Sequence, residues 1–190
     1  MSMVTKQEIS TALFACWRLA RRDASAMRFF DTSLPGVWRS FFAAAIAYPP
    51  FLLLKLLGHP ATGEPVDPFR FFAIHSIAYV VGWTLFPLAM VLLTEVLDRE
   101  DRLFRFLVAF NWSNVLQVAL LTTVAVLAAG SVLPDPLGPL AMLAATIAVL
   151  WYEWYIATVS LHVDGSQAAV VVIADVILGI AIAGIATAMV

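Results

Sequence analysis

Five apolar runs, separated by clusters of turn-forming and charged residues, divide most of this chain. They cover about 39–57, 69–97, 103–129, 139–162 and 168–190, and a bilayer's hydrocarbon core is crossed by about 20 helical residues. Of the 190 residues, 62% are hydrophobic and 13% charged. A soluble domain is closer to about 45–50% apolar and about 25% charged. A chain of this makeup cannot cover its own apolar surface with polar groups, so its medium is lipid. The expected fold is an all-α integral membrane protein: a five-helix transmembrane bundle preceded by an amphipathic helix.

That helix belongs to an N-terminal segment, residues 1–36, ahead of a transmembrane domain over 37–190. Between residues 6 and 30, Ile9, Leu13, Cys16, Trp17, Ala20, Ala24 and Met27 recur at helical spacing. Arg18, Arg21, Arg22, Ser25 and Arg28 lie elsewhere on the wheel. A basic face opposite Trp and Leu is the pattern of a helix lying among lipid headgroups. Arg18, Arg21, Arg22 and Arg28 are thus candidates for a lipid- or partner-binding surface, with anionic headgroups as the expected lipid. The competing reading is a helix packed on the bundle itself. Asp31 to Gly36, with Ser33, Pro35 and Gly36, then breaks the helix.

In the first span, Pro49 and Pro50 remove two amide donors, which predicts a kink or break there. A breaker-rich loop follows from Gly58 to Pro68. No cleavable signal peptide or lipidation motif is read in the sequence. Nine of the eleven basic residues (Lys6, Arg18, Arg21, Arg22, Arg28, Arg39, Arg99, Arg102 and Arg105) fall on one side of the five spans. By the positive-inside rule that side is cytoplasmic. The expected location is the bacterial inner membrane, with the N-terminus cytoplasmic and the C-terminus opposite.

Within the spans the unexpected residues are acids and amides. Glu153 stands inside Trp151-Tyr152-Glu153-Trp154-Tyr155, and Asp175 sits in the last run. An acid at such depth costs about 2.5–3.5 kcal/mol on insertion scales. Counted inward at about 1.5 Å per residue, Asn111, Glu153 and Asp175 lie at matching heights, with Asn114 one turn deeper. Thr146, Glu153 and Ser160 share one helix face, as do Asn111, Asn114 and Thr122, with Gln117 at the margin. Asp175 shares a face with Gly179 and Ile182. The Gly179/Ala183 and Gly184/Ala188 steps would permit close helix contact. The expectation is a buried polar layer of Asn111, Asn114, Glu153 and Asp175. Three uses are open to it: hydrogen-bonded packing of neutral acids, ion pairs with Arg39 or Arg105 reaching from the rim, or binding of a cation or proton.

Other chemistry has little support. One cysteine, Cys16, excludes an internal disulfide and paired-cysteine metal or redox motifs. His59, His75 and His162 are too scattered for a metal site. No phosphate loop, nucleophile elbow or His-Glu-x-x-His occurs. An enzyme is not expected, nor a cofactor, a bound metal or a nucleic-acid partner.

The layout resembles the Yip1-domain family of integral membrane proteins, in its bacterial branch. The residues that carry the likeness are Tyr48-Pro49-Pro50, Phe110-Asn111-Trp112 and Trp151-Tyr152-Glu153-Trp154-Tyr155, within roughly Trp38 to Val190. The eukaryotic members act with small GTPases in vesicle traffic, and their Asp-Leu-Tyr-Gly-Pro signature is missing here. The resemblance therefore implies a membrane adaptor or organiser without a GTPase partner. Its expected partners are membrane lipids, a second copy, or another membrane protein. The alternative from the residues themselves is a small cation- or proton-coupled transporter or channel using Glu153 and Asp175.

Overall fold

The computed structural model describes residues 4–58, 67–134 and 136–190. The loop expected between the first two spans lies almost wholly outside them. Seven α-helices follow in order: α1 (Lys6–Ala20), α2 (Leu34–Ser40), α3 (Phe42–Leu57), α4 (Pro68–Val96), α5 (Leu103–Ala129), α6 (Leu137–Leu161) and α7 (Gly165–Met189). Short 3₁₀ turns at Ala24–Phe29 and Glu100–Arg102 complete the order. Among the described residues there is no strand. Five stretches are long and apolar enough to cross a membrane: Leu34–Leu57, Pro68–Val96, Glu100–Ala129, Leu137–Leu161 and Gly165–Met189.

The helix ends follow local chemistry. Thr5 caps α1 by accepting from the Glu8 amide at 3.1 Å, and Asp67 caps α4 just ahead of Pro68. Asp164 and Gln167 form a reciprocal capping box on α7. Ser33 caps α2, where Gly36 lies so close to the Asp31 carbonyl that no Cβ would fit. Four turns carry a non-glycine residue in the left-handed region: Arg22 after α1, Asp98 after α4, Ser131 after α5 and His162 after α6.

The five long stretches form a closed ring. In spatial order α3 packs on α5, α5 on α6, α6 on α7, α7 on α4, and α4 back on α3. The best-packed core lies toward the end of the ring where α5 begins and α6 finishes. Phe86, Met90, Phe106, Trp112, Ile156 and Leu161 are all buried there. The outer surface is the reverse of a soluble protein's. Ile177, Ile180 and Ile185 of α7 and Leu88, Leu92 and Val96 of α4 are exposed. An apolar outside over a core that also holds polar side chains is stable where lipid is the solvent.

Two expectations need correction. The helix expected over residues 6–30 stops at Ala20. The chain reverses through Arg22, and the rest of the segment returns as a 3₁₀ turn. Moreover α1 does not lie apart from the bundle. Ala12, Ala15, Cys16 and Leu19, at i, i+3, i+4 and i+7, are buried against α5 and α6. Its far face carries Phe14 and Trp17, about half exposed. The competing reading, a helix packed on the ring, is the one observed, because the small face admits close approach. The second concerns Pro49 and Pro50: of the kink or break expected there, the break does not occur, since both sit inside a continuous α3. The first span is interrupted earlier, at Phe41, between α2 and α3. Second hydrogen bonds support α3 on either side of the prolines: Tyr79 Oη donates to the Ala44 carbonyl at 2.7 Å, and Thr122 Oγ1 to that of Pro50 at 2.9 Å. Neighbouring side chains thus stiffen the stretch that two prolines weaken.

Burial pushes the Cys16 thiol up from its ordinary 9.0 to about 12. In the folded protein Cys16 should resist maleimide at pH 7.5, and it should react fully once the protein is denatured. A helix lying free of the bundle would leave it labelled. Because the folded thiol keeps its proton longer than the unfolded one, stability should fall as pH rises from about 9 through about 12. Leu19→Ala should cost about 2–5 kcal/mol, read as a drop in thermal midpoint, while Phe14→Ala should cost much less.

Candidate functional site

The interior of the ring holds a cavity of about 300 Å³ between α3, α4, α5 and α7. Asn111, Asn114 and Asp175 line one part of it. Farther along, where α4 begins and α7 ends, His75, Lys55 and Ala186 line it instead. Aromatic rings fill most of the wall between, including Phe51, Tyr79, Trp83, Phe86 and Phe110. Gly179 opens onto it too: a Cβ there would meet nothing within 4 Å.

Asn111 is fully buried, and its orientation is fixed by a chain of hydrogen bonds. Ser40 Oγ donates to the Val37 carbonyl at 2.7 Å, so its hydroxyl proton is committed. It then accepts from Asn111 Nδ2 at 2.9 Å. This directs the amide nitrogen to the α2–α3 junction and leaves Oδ1 as the free end. That oxygen is buried and has no donor among the described residues. Asn114 donates to the Phe110 carbonyl of its own helix at 3.2 Å.

Glu153 is 2% exposed, and its Oε1 also lacks a donor among the described residues. The charge bearing on it is that of Asp175. The polar layer expected from depth therefore exists in part. Asn111, Asn114 and Asp175 meet in one cavity, while Glu153 lies in the adjoining helix within electrostatic reach of Asp175. Arg39, offered as a partner for the acids, instead pairs with Glu8 at 2.8 Å and with Asp31. Those bonds tie α2 to the start of α1. Arg105 forms no ion pair among the described residues, and its Nε is buried without an acceptor.

The polar faces read from spacing are only partly inward. Gln117 and Thr122 are buried, as is Ser160, but Thr146 is exposed and bonds back to the Met142 carbonyl. Asp175, Gly179 and Ile182 do share the cavity wall. Gly179 thus faces open space and not a close helix contact, and Gly184 likewise has no atom within 4 Å of a built Cβ.

The aromatics around Glu153 have separate tasks. Tyr152 Oη donates to the Cys16 carbonyl at 2.7 Å and lies 3.0 Å from Ser113 Oγ, which joins α1, α5 and α6. Trp154 Nε1 donates to the Gly165 carbonyl at 2.8 Å and closes the α6–α7 turn. Trp151 and Tyr155 face outward, beneath the Arg22 guanidinium at 4.7 and 5.9 Å.

The other arginines behave similarly. Arg21 lies over Trp17 at 4.8 Å and Arg28 over Phe29 at 5.1 Å. Arg18 is different, being paired with Asp23 and bonded to Ser25 at 3.1 Å. Hydrogen bonds from Ser25 and then Arg18 hold the Asp23 carboxyl below its usual range. Of the four basic residues singled out by sequence, three therefore form an open surface and one is used internally. Sequence reasoning missed Ser40 and Tyr152, whose partners lie 71 and 136 residues away. The one available signal was the small apolar face of Ala12, Ala15, Cys16 and Leu19.

Comparison with protein-family models, with curated proteins and with solved structures finds no match to this chain. The helices alone define its class: an all-helical chain with five stretches suited to crossing a membrane, consistent with a multi-pass membrane protein. No group of three or more metal-ligating side chains occurs among the described residues.

Ser40→Ala should leave Asn111 Nδ2 buried without an acceptor, at a cost of about 1–3 kcal/mol. Thermal denaturation in detergent should show this loss, and Asn111→Leu combined with Ser40→Ala should recover part of it.

Proposed function

We propose that this is a non-enzymatic, multi-pass protein of the bacterial inner membrane, with its N-terminus cytoplasmic, that acts as an adaptor or membrane organiser. The observation that carries the reading is the set Arg21, Arg22 and Arg28. All three are exposed, each lies over an aromatic ring, and none has a carboxylate partner among the described residues. Stacked guanidinium groups, two of them over the exposed Trp17 and Trp151, suit the interface between headgroups and acyl chains. Each basic residue there is worth about 1 kcal/mol toward anionic lipid. The five-span layout behind a basic segment is the ground on which kinship with the Yip1-domain family is proposed. Because α1 packs on the ring and Arg22 lies over Trp151 of α6, the basic surface is held against the bundle, which suits a docking platform for headgroups or for an acidic partner.

A second reading is cation- or proton-coupled transport through Glu153 and Asp175. It is favoured by the ring's interior cavity and by the two acceptor oxygens without donors. Sodium or proton flux into proteoliposomes, abolished by Glu153→Gln, would support it, and vesicles tight to both would remove it.

The adaptor reading predicts that the protein in nanodiscs gains thermal stability as the phosphatidylglycerol fraction rises. Replacing Arg21, Arg22 and Arg28 together by Gln should remove most of that dependence, about 3 kcal/mol at most, and leave helical content unchanged. An unchanged lipid dependence in the triple variant would sink the proposal.

A further inference from the structure

The interior cavity has a chemistry that neither the adaptor nor the transport reading specifies. Its Asp175 level offers a half-buried carboxylate, with the Glu153 carboxyl in the next helix within electrostatic reach. Beside Asp175, Asn111 lines the same wall and is fully buried, and its Oδ1 has no donor among the described residues. The Ser40 bond fixes that oxygen as an acceptor, since the amide nitrogen is already engaged. Buried acceptors without donors are uncommon in native structures and call for an explanation. An acid and a free acceptor at one end of the cavity, with Lys55 at the other, favour a positively charged guest at the Asp175 end. No salt bridge among the described residues joins Lys55, which lines the opposite end of the cavity and lies over Phe51 at 5.5 Å, to Asp175.

The rest of the wall decides what kind of cation. A hard metal ion takes about 6–8 oxygen ligands in a compact shell. Here the wall is largely aromatic, and a space of about 300 Å³ is the size of a small-molecule site. The faces of Phe51, Tyr79, Trp83, Phe86 and Phe110 attract charge spread over methyl or methylene groups. We propose that this cavity is a binding site for a small organic cation of the quaternary-ammonium class, with Asp175 and Asn111 Oδ1 at the charged end and the aromatic wall around its apolar groups. Asp175 supplies the countercharge. Asn111 supplies an acceptor for the polarised carbon-bound hydrogens next to nitrogen. Gly179 leaves the space that the guest fills. This goes beyond both readings above, because the site binds whether or not anything is moved across a membrane.

The test uses the full chain in nanodiscs with benzyltrimethylammonium as the probe. The neutral control is neopentylbenzene, which has the same shape with carbon in place of nitrogen. Binding is read by quenching of tryptophan fluorescence and by calorimetry. The expected result is saturable binding of the cation, at least about tenfold tighter than the neutral compound. Asp175→Asn should weaken the cation about tenfold and leave the neutral compound unchanged. Gly179→Leu, which adds bulk only where the cavity is open, should abolish binding of both with helical content preserved. This second variant keeps the test decisive if Asp175→Asn fails to fold. Equal affinity for the two compounds, no saturable binding, or Gly179→Leu binding as wild type would each overturn the proposal. Saturable binding in vesicles that show no flux would support the site while removing the transport reading.

Discussion

Where lipid surrounds the ring, every polar atom it encloses must find its partner within the protein, because lipid offers none. This constraint explains connections that spacing along the sequence does not suggest. Ser40 stands at the break between α2 and α3, where it takes up the Asn111 amide. Thr122 and Tyr79 reach across to α3 and donate to carbonyls near the two prolines. Tyr152 gives its hydroxyl to the main chain of α1. Each bond joins a different pair of helices, so together they hold the ring in register where apolar packing against lipid would leave helices free to slide. Among the described residues four buried polar atoms are left over, and two of them, on Asn111 and Glu153, are acceptor oxygens, the others being Gln117 Nε2 and Arg105 Nε.

Much of the architecture was legible in the sequence. The five apolar stretches appear within a few residues of their expected bounds, since length and hydropathy fix a span almost without regard to tertiary contacts. The starts of α7 and α4 are set as locally, by the caps Asp164 and Asp67. Two features differ in detail because tertiary packing adds to local preference. The segment read as one helix over residues 6–30 stops at Ala20, and the small face of α1 packs against α5 and α6. Pro49 and Pro50 suggested a kink or a break, and α3 runs through both without a break.

The site was legible in its members and not in its geometry. Depth counting brought Asn111, Glu153 and Asp175 to one height with Asn114 one turn deeper, and of these Asn111, Asn114 and Asp175 line one cavity. It could not say that Glu153 would stand behind that cavity, or that the aromatics beside it would turn outward to hold α1, close the α6–α7 turn and bear Arg22. Helical spacing reports which residues share a face. It does not report which neighbour that face meets, and in a ring each helix has two. Thr146, aligned with Glu153 on the wheel but exposed in the structure, shows the limit of that inference.

The docking of α1 also bears on how the protein is made. Cys16 and Tyr152 lie 136 residues apart, so α1 rests on helices that are synthesised much later. Until α5 and α6 are both in place, its Ala12, Ala15, Cys16 and Leu19 face has nothing to cover it. An amphipathic helix with such an apolar stripe is the kind of segment that can rest on a membrane surface. The stripe that would hold α1 there is the one that the finished bundle covers.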